Sequence, residues 1–313
     1  MVTRRYLRAK VFQAIYASEK NPKENFHVSE KKLDQVIKNC QELSVYFIAL
    51  LTEMVRYRTM RLEVIKEKIN PSQEDLNPNT KFIDNKVIKQ IEENIILSQF
   101  CKNHKIDWSN RYDFVAQIYF EIANSDFFTT YTESPISCYS EDKKFVLNIL
   151  SKGFAESKLL HWFLEEKNIH WFDDYNDALL SAYKYIEKYK ENLSKQIPLI
   201  PLFKSDEDLT FYKDLFRKTL LYNDEYQKRI NDKLQHWESE RVIESDTILI
   251  KMAICELDQF PTIPVKVTIN EYLELAKLYS SRKSCVFING ILDRIVIDLK
   301  NEGVLNKMGM GLV

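Results

Sequence analysis

Apolar residues return every three or four positions from the start of the chain, the period of an amphipathic helix. In the first segment Leu7, Val11, Ala14 and Ile15 fall on one side, the side expected to face a core. Proline marks most of the breaks. Pro22 ends the first helix and Ser29 is placed to cap the next. From there to Ile69 the pattern predicts one or two long helices, stopped by Asn70-Pro71 and the polar segment to Asn79. Further helices are predicted over 80–103 and 111–125, followed by a broken stretch from Thr129 to Ser140. Helical patterning resumes over 141–194. The segment Gln196 to Phe203 carries two prolines and reads as an extended connector, after which helices run from Asp206 to Glu302. Within that last stretch, Pro261-Thr-Ile-Pro264 forces a turn and Thr268-Ile-Asn-Glu271 has the spacing of a capping box. A break at Ser280 to Ser284 precedes the final helix.

Composition narrows the class. The chain holds only 5 glycines in 313 residues, and the first is Gly153. The first half therefore cannot contain a G-x-G-x-x-G turn or a P-loop, and it lacks the residues that β-hairpins place at positive φ. An all-α fold remains. Against 45 basic residues stand 46 acidic ones, so only a local arrangement of charge can favour a polyanionic partner. The five cysteines, at 40, 101, 138, 255 and 285, form no C-x-x-C and suggest reduced thiols in a cytoplasm. The longest apolar run, Val45 to Leu51, is too short for a bilayer, and the basic start leads into an amphipathic segment rather than a signal peptide. We therefore expect a cytoplasmic protein with no membrane partner.

A weak internal echo joins two helical stretches. Asp142, Phe145, Lys152, Lys167, His170 and Trp171 return 66 residues later as Asp208, Phe211, Lys218, Lys233, His236 and Trp237, a hint of a duplicated helix pair.

Residues with enzymatic chemistry are sparse. No H-x-x-x-H, G-x-S-x-G or kinase set is present, so no catalytic residue, cofactor or metal is expected. Cys101-Lys-Asn-His104 is half a zinc site by spacing, and Trp108, Trp171 and Trp237 read as core anchors. The first helix is more distinctive. Arg5, Arg8, Phe12 and Tyr16 fall together beside its apolar side, with Gln13 at the edge. Guanidinium groups interleaved with rings suit single-stranded RNA, whose phosphates take forked cations and whose splayed bases stack on flat surfaces. A solvated helix start whose rings pack inward accounts for the same residues.

At two blocks the sequence resembles the NusB family of transcription antitermination factors. Arg4-Arg-Tyr-Leu-Arg8-Ala-Lys-Val-Phe-Gln13-Ala-Ile-Tyr16 is similar to the family's arginine-rich first helix. Its C-terminal signature is resembled by Asp246-Thr-Ile-Leu-Ile-Lys-Met-Ala-Ile-Cys-Glu256-Leu257, Ile263 to Glu271, Leu275-Ala-Lys277 and Phe287-Ile-Asn-Gly-Ile-Leu-Asp293. The resemblance covers about residues 1–60 and 205–300. It implies an all-α, NusB-like double helical bundle without catalytic activity, divided as 1–60, a helical insert over 61–204 that exceeds the compact family pattern, and 205–313.

The partners it implies are boxA-type single-stranded RNA, NusE (the small-subunit ribosomal protein S-ten) and the RNA polymerase elongation complex. By matching position, RNA contact falls to Arg4, Arg5, Arg8, Gln13 and Tyr16, and to Lys283 and Phe287. NusE contact falls to Glu240 and Asp246. Lys283 stands where the family is usually acidic, and Val286 where Lys or Arg is common. The insert shows no Arg/aromatic stripe like that of the first helix. Two alternatives remain: a helical interaction scaffold without RNA binding, and a relative of the NusB-like domain of RNA cytosine methyltransferases. The 13 residues after Lys300 argue against the second.

Overall fold

The computed structural model describes residues 1–67, 72, 76–192, 195–234, 243–305 and 307. Among them the chain is all-α, as its periodicity predicts. The helices are α1 (Arg4–Lys20), α2 (Phe26–Lys66), α3 (Lys86–Glu92), α4 (Ile95–His104), α5 (Tyr112–Ala123), α6 (Asp126–Glu133) and α7 (Tyr139–Asn148). A π-helical turn, Ile149–Phe154, follows, and then α8 (Lys158–Lys167), α9 (Trp171–Glu187), α10 (Asp206–Leu221) and α11 (Asn223–Leu234). The chain ends in α12 (Glu244–Gln259), α13 (Val265–Tyr279) and α14 (Arg282–Asn301). None of them is long and apolar enough to cross a membrane.

Two compact units divide the chain. One comprises Met1 with Lys38–Leu202, the other Val2–Ile37 with Phe203–Val313. In the second unit α12 is the central element. Every residue from Ile248 to Leu257 is buried, which is what a helix that is apolar nearly all round requires. α1, α10, α11, α13 and α14 pack around it. The polar residues on α12 must then find partners. Lys251 Nζ donates to Asn223 Oδ1 at 2.8 Å and lies 3.6 Å from Glu19, and Glu256 receives Arg8.

In the first unit α7, α9 and the π turn form the packed centre. Gly153 lies in that turn, where a Cβ would meet Ile122 Cδ1 of α5 at 2.2 Å. Close approach, rather than a bend, is thus the reason for a glycine there. Trp108 and Trp171 are buried, and Trp108 Nε1 donates to the Tyr46 carbonyl at 3.1 Å. Trp237 lies outside the described residues.

Three local expectations need correcting. Ser29 does not cap α2. Asn25 Oδ1 accepts the His27 N–H at 2.9 Å, and Ser29 sits one turn inside, bonded to Glu24. The stretch expected to be broken begins with a helix, because Asp126–Glu133 forms α6 and buries Phe128 and Tyr131, a tertiary gain that outweighs its threonines. Thr268 and Glu271 are not a capping box. α13 starts at Val265 behind Pro264, so both residues lie inside the helix and reach away from it, Thr268 to Glu256 and Glu271 to Arg5. The echoed pairs Asp142/Asp208 and Phe145/Phe211 are all buried near the starts of α7 and α10, whereas His236 and Trp237 lie outside the described residues.

Candidate nucleic-acid interface

α1 begins at a capped end, where Thr3 Oγ1 accepts the Tyr6 N–H. It is packed on more of its circumference than one apolar stripe implies, burying Tyr6, Arg8, Lys10 and Phe12 as well as Leu7, Val11 and Ile15. The Arg/aromatic face therefore dips into the protein at its middle and surfaces at its ends.

At the first end Arg4 and Arg5 line an open cleft of about 480 Å³ with Thr262, Pro264, Val267 and Glu271. Arg4 Nε donates to Asp208 at 2.8 Å, and its guanidinium lies 5.3 Å from the Phe211 ring centre. Arg5 is 49% exposed and grips Glu271 with two hydrogen bonds of 3.0 and 2.8 Å. That fork raises the Arg5 pKa and holds the Glu271 carboxyl below its ordinary range.

Arg8 is built differently. It is buried, and its Nε and Nη2 each lie 2.8 Å from an oxygen of Glu256, itself fully buried. Thr268 and Tyr272 donate to the same carboxylate at 2.9 and 3.3 Å, and Glu271 stands 3.6 Å from Arg8 Nη1. Burial works against the Arg8 charge, but the bonds to Glu256 outweigh it and its pKa is raised. This network joins α1, α12 and α13 through one carboxylate.

At the other end Phe12, Gln13, Tyr16 and Tyr279 border a second cleft of about 390 Å³ with Glu244 and Ser245. Phe12 is buried with its ring 4.8 Å from Tyr279, so its face is taken. Tyr16 is exposed, with Lys20 Nζ 5.3 Å from its ring. Gln13 donates to the Tyr279 hydroxyl at 3.0 Å and accepts from Lys10. Tyr279 is the residue that sequence reasoning missed. It sits in the last turn of α13, and no pattern along α1 points to it.

Lys283 is exposed in the first turn of α14, next to the exposed Arg282, and that turn contains no acidic residue. Two cations at a helix N-terminus raise the potential where anions are already favoured. Phe287 is half-buried one turn on. Asp246 is buried and accepts the Ser280 hydroxyl at 2.5 Å, tying the start of α12 to the end of α13. Glu240 lies outside the described residues.

Elsewhere, the Cys101/His104 pair gathers no further ligands. His104 stacks on Phe100 and bonds Glu42 at 2.8 Å, and burial pushes the Cys101 thiol up to about 11. Among the described residues no group of three or more His, Cys, Asp or Glu is arranged to hold a metal.

These features define a class: an all-α protein whose first helix presents cations and rings along open clefts. The NusB family model matches residues 176–296, from within α9 to α14. That range starts upstream of 205 and does not reach α1. A transcription antitermination protein NusB of Salinibacter ruber is 39% identical over 114 residues, which is 36% of this chain and 71% of that protein. The same-named proteins of Chloroherpeton thalassium and Koribacter versatilis are 46% identical over 78 residues and 37% over 97, covering 37% and 66% of their own lengths. No solved structure matches the chain. The chain belongs to the NusB family.

Proposed function

We propose that this protein is an RNA-binding transcription antitermination factor. With NusE it holds boxA-type single-stranded RNA against the RNA polymerase elongation complex and promotes antitermination in ribosomal RNA transcription. The observation that carries the reading is the pair of clefts along α1, with Arg5 open at one end and Tyr16 at the other, in a chain whose curated relatives are named antitermination proteins. The segments 1–60 and 205–313 carry these contacts in this reading, and 61–204 elaborates the fold.

The mechanism is binding alone. Arg4, Arg5 and Lys283 neutralise phosphates, which supplies affinity. Tyr16 and Phe287 offer ring surface to bases, and Gln13 reads a base edge in exchange for its bond to Tyr279. Arg8 acts as a positioning residue, because its fork on Glu256 sets α1 against α12 and α13. Glu271 competes with phosphate for Arg5, so RNA must displace a carboxylate already in place. NusE contacts the segment at Glu240 and the start of α12, where the buried Asp246 holds that helix end to the end of α13 rather than touching the partner itself.

Titration of a short boxA-type RNA, with and without NusE, tests this. Wild type is expected to bind, more tightly with NusE, and Arg5→Glu and Lys283→Asp to bind more weakly at unchanged melting temperature. A wild-type chain that ignores this RNA at low salt, with NusE present, sinks the reading.

A further inference from the structure

The far end of α2 packs against α5 through a cluster of rings. Tyr57 lies 5.1 Å from Tyr112, 5.4 Å from Tyr119 and 6.1 Å from Phe120, centre to centre. Tyr57 and Tyr119 are buried, whereas Tyr112 and Phe120 are 43% and 49% exposed. Both open rings lie against Tyr57, eight residues apart along α5, and each leaves part of its surface to solvent for a base.

The same end of α2 carries two arginines with no ion-pair or hydrogen-bond partner among the described residues, the half-buried Arg58 and the exposed Arg61. Arg56 differs, being held between Glu53 and Glu92 at 3.3 and 3.2 Å. Arg61 stands one turn beyond Tyr57, and Arg58 comes three residues before Arg61, so helical spacing sets both on one side of α2 next to the residue that holds the rings. Burial pushes the Tyr57 hydroxyl up, and the fields of Arg61 and Arg58 oppose it. At Tyr119, burial acts in the same direction and Arg58 opposes it.

We propose that Arg58, Arg61, Tyr112 and Phe120 form a second, sequence-tolerant contact for single-stranded RNA, with bases stacked on the two rings and phosphates on the two guanidiniums. An acidic protein would satisfy the guanidiniums but leave the ring faces wet. A nucleotide joins a flat π face to a phosphate, and that combination fits cation and ring together. The choice of RNA as occupant rests on the function proposed above. The surface itself does not depend on the α1 clefts.

The test uses the full chain and two probes, a short boxA-type RNA and a uridine homopolymer. Arg58→Gln/Arg61→Gln keeps the side-chain stems and is expected to weaken homopolymer binding while lowering the slope of log affinity against log salt by about 1.4, or about 0.7 per phosphate. Phe120→Ala is expected to weaken it by about fivefold or more, with the slope unchanged. Both variants should bind the short boxA RNA as wild type does. Phe120→Tyr, which keeps a ring, should restore homopolymer binding and separates stacking from any loss of fold. A double arginine variant with wild-type homopolymer affinity and slope overturns the proposal. If the short RNA binds and the homopolymer does not, this inference alone fails. If the homopolymer binds and loses affinity in the variants while the boxA RNA shows no preference, the function proposed above fails and this surface stands.

Discussion

Arg8 Nε and Nη2 each stand 2.8 Å from an oxygen of Glu256, and both side chains are buried. The Nε/Nη2 edge is occupied by that carboxylate, Nη1 stands 3.6 Å from Glu271, and only 3% of the side chain is exposed where Arg8 borders the cleft, so little of this guanidinium is open to a phosphate. Arg5, one turn earlier, makes the same kind of fork with Glu271 in the open, where water and salt screen it. Two arginines three residues apart thus do different work.

Removing one partner of the buried pair leaves the other charged and unpaired, so Arg8→Ala and Glu256→Gln should each destabilise the fold by about 3–5 kcal/mol, measured by urea unfolding. Arg5→Ala should melt within a few degrees of wild type. In RNA titrations on a stabilised background, Arg5→Ala should lower the salt slope by about 0.7 and Arg8→Met should leave it unchanged. A slope that falls with Arg8→Met would return Arg8 to the RNA.

Phe12 and Tyr16 should part in the opposite sense. Phe12 is buried against Tyr279, and its truncation to alanine should cost about 3–5 kcal/mol of stability. Tyr16 is exposed, so Tyr16→Ala should change stability by less than about 0.5 kcal/mol and weaken RNA binding by about 1–3 kcal/mol. Thermal melts and anisotropy on the same samples distinguish them.

Glu271 carries a pH signature. The hydrogen bonds from Arg5 hold its folded-state pKa below the ordinary 4.5, so the folded protein binds its proton less readily than the unfolded chain. The pair's contribution is complete above 4.5 and is lost as pH falls through the lower folded-state value. Stability of wild type should therefore drop more steeply below 4.5 than that of Glu271→Gln. The same variant frees Arg5 and should bind RNA more tightly at neutral pH. Parallel acid limbs in the two proteins would mean that the fork does not persist in solution.

Gly153 leaves room for Ile122, whose Cδ1 would lie 2.2 Å from an added Cβ. Gly153→Ala should cost about 1–3 kcal/mol by overpacking. Ile122→Val removes that atom, so combining the two should recover part of the loss, a coupling that a double-mutant cycle reads directly.

The ordering of helices was legible because the signals are local. Pro22 and the two prolines of 196–203 remove a backbone donor wherever they occur, and Ser281 caps α14 by accepting the Ser284 N–H. Local signals failed where a distant partner competed. Thr268 and Glu271 have the spacing of a cap, but a buried carboxylate on α12 and a guanidinium on α1 offer their side chains stronger bonds. The threonines near 129 disfavour a helix, yet burial of Phe128 and Tyr131 forms one.

By itself the sequence determined the all-α class and the identity of α1 as a helix bearing cations and rings, since periodicity and glycine scarcity act along the chain. Which face of α1 is open was decided by the tertiary structure alone. How many neighbours flank a helix depends on segments more than 200 residues away, as the separation of Arg8 from Glu256 shows. The same holds for the α2/α5 surface. Its arginines and its exposed rings lie on separate helices, and the packing of Tyr57 on Tyr112 and Phe120 is what joins those helices.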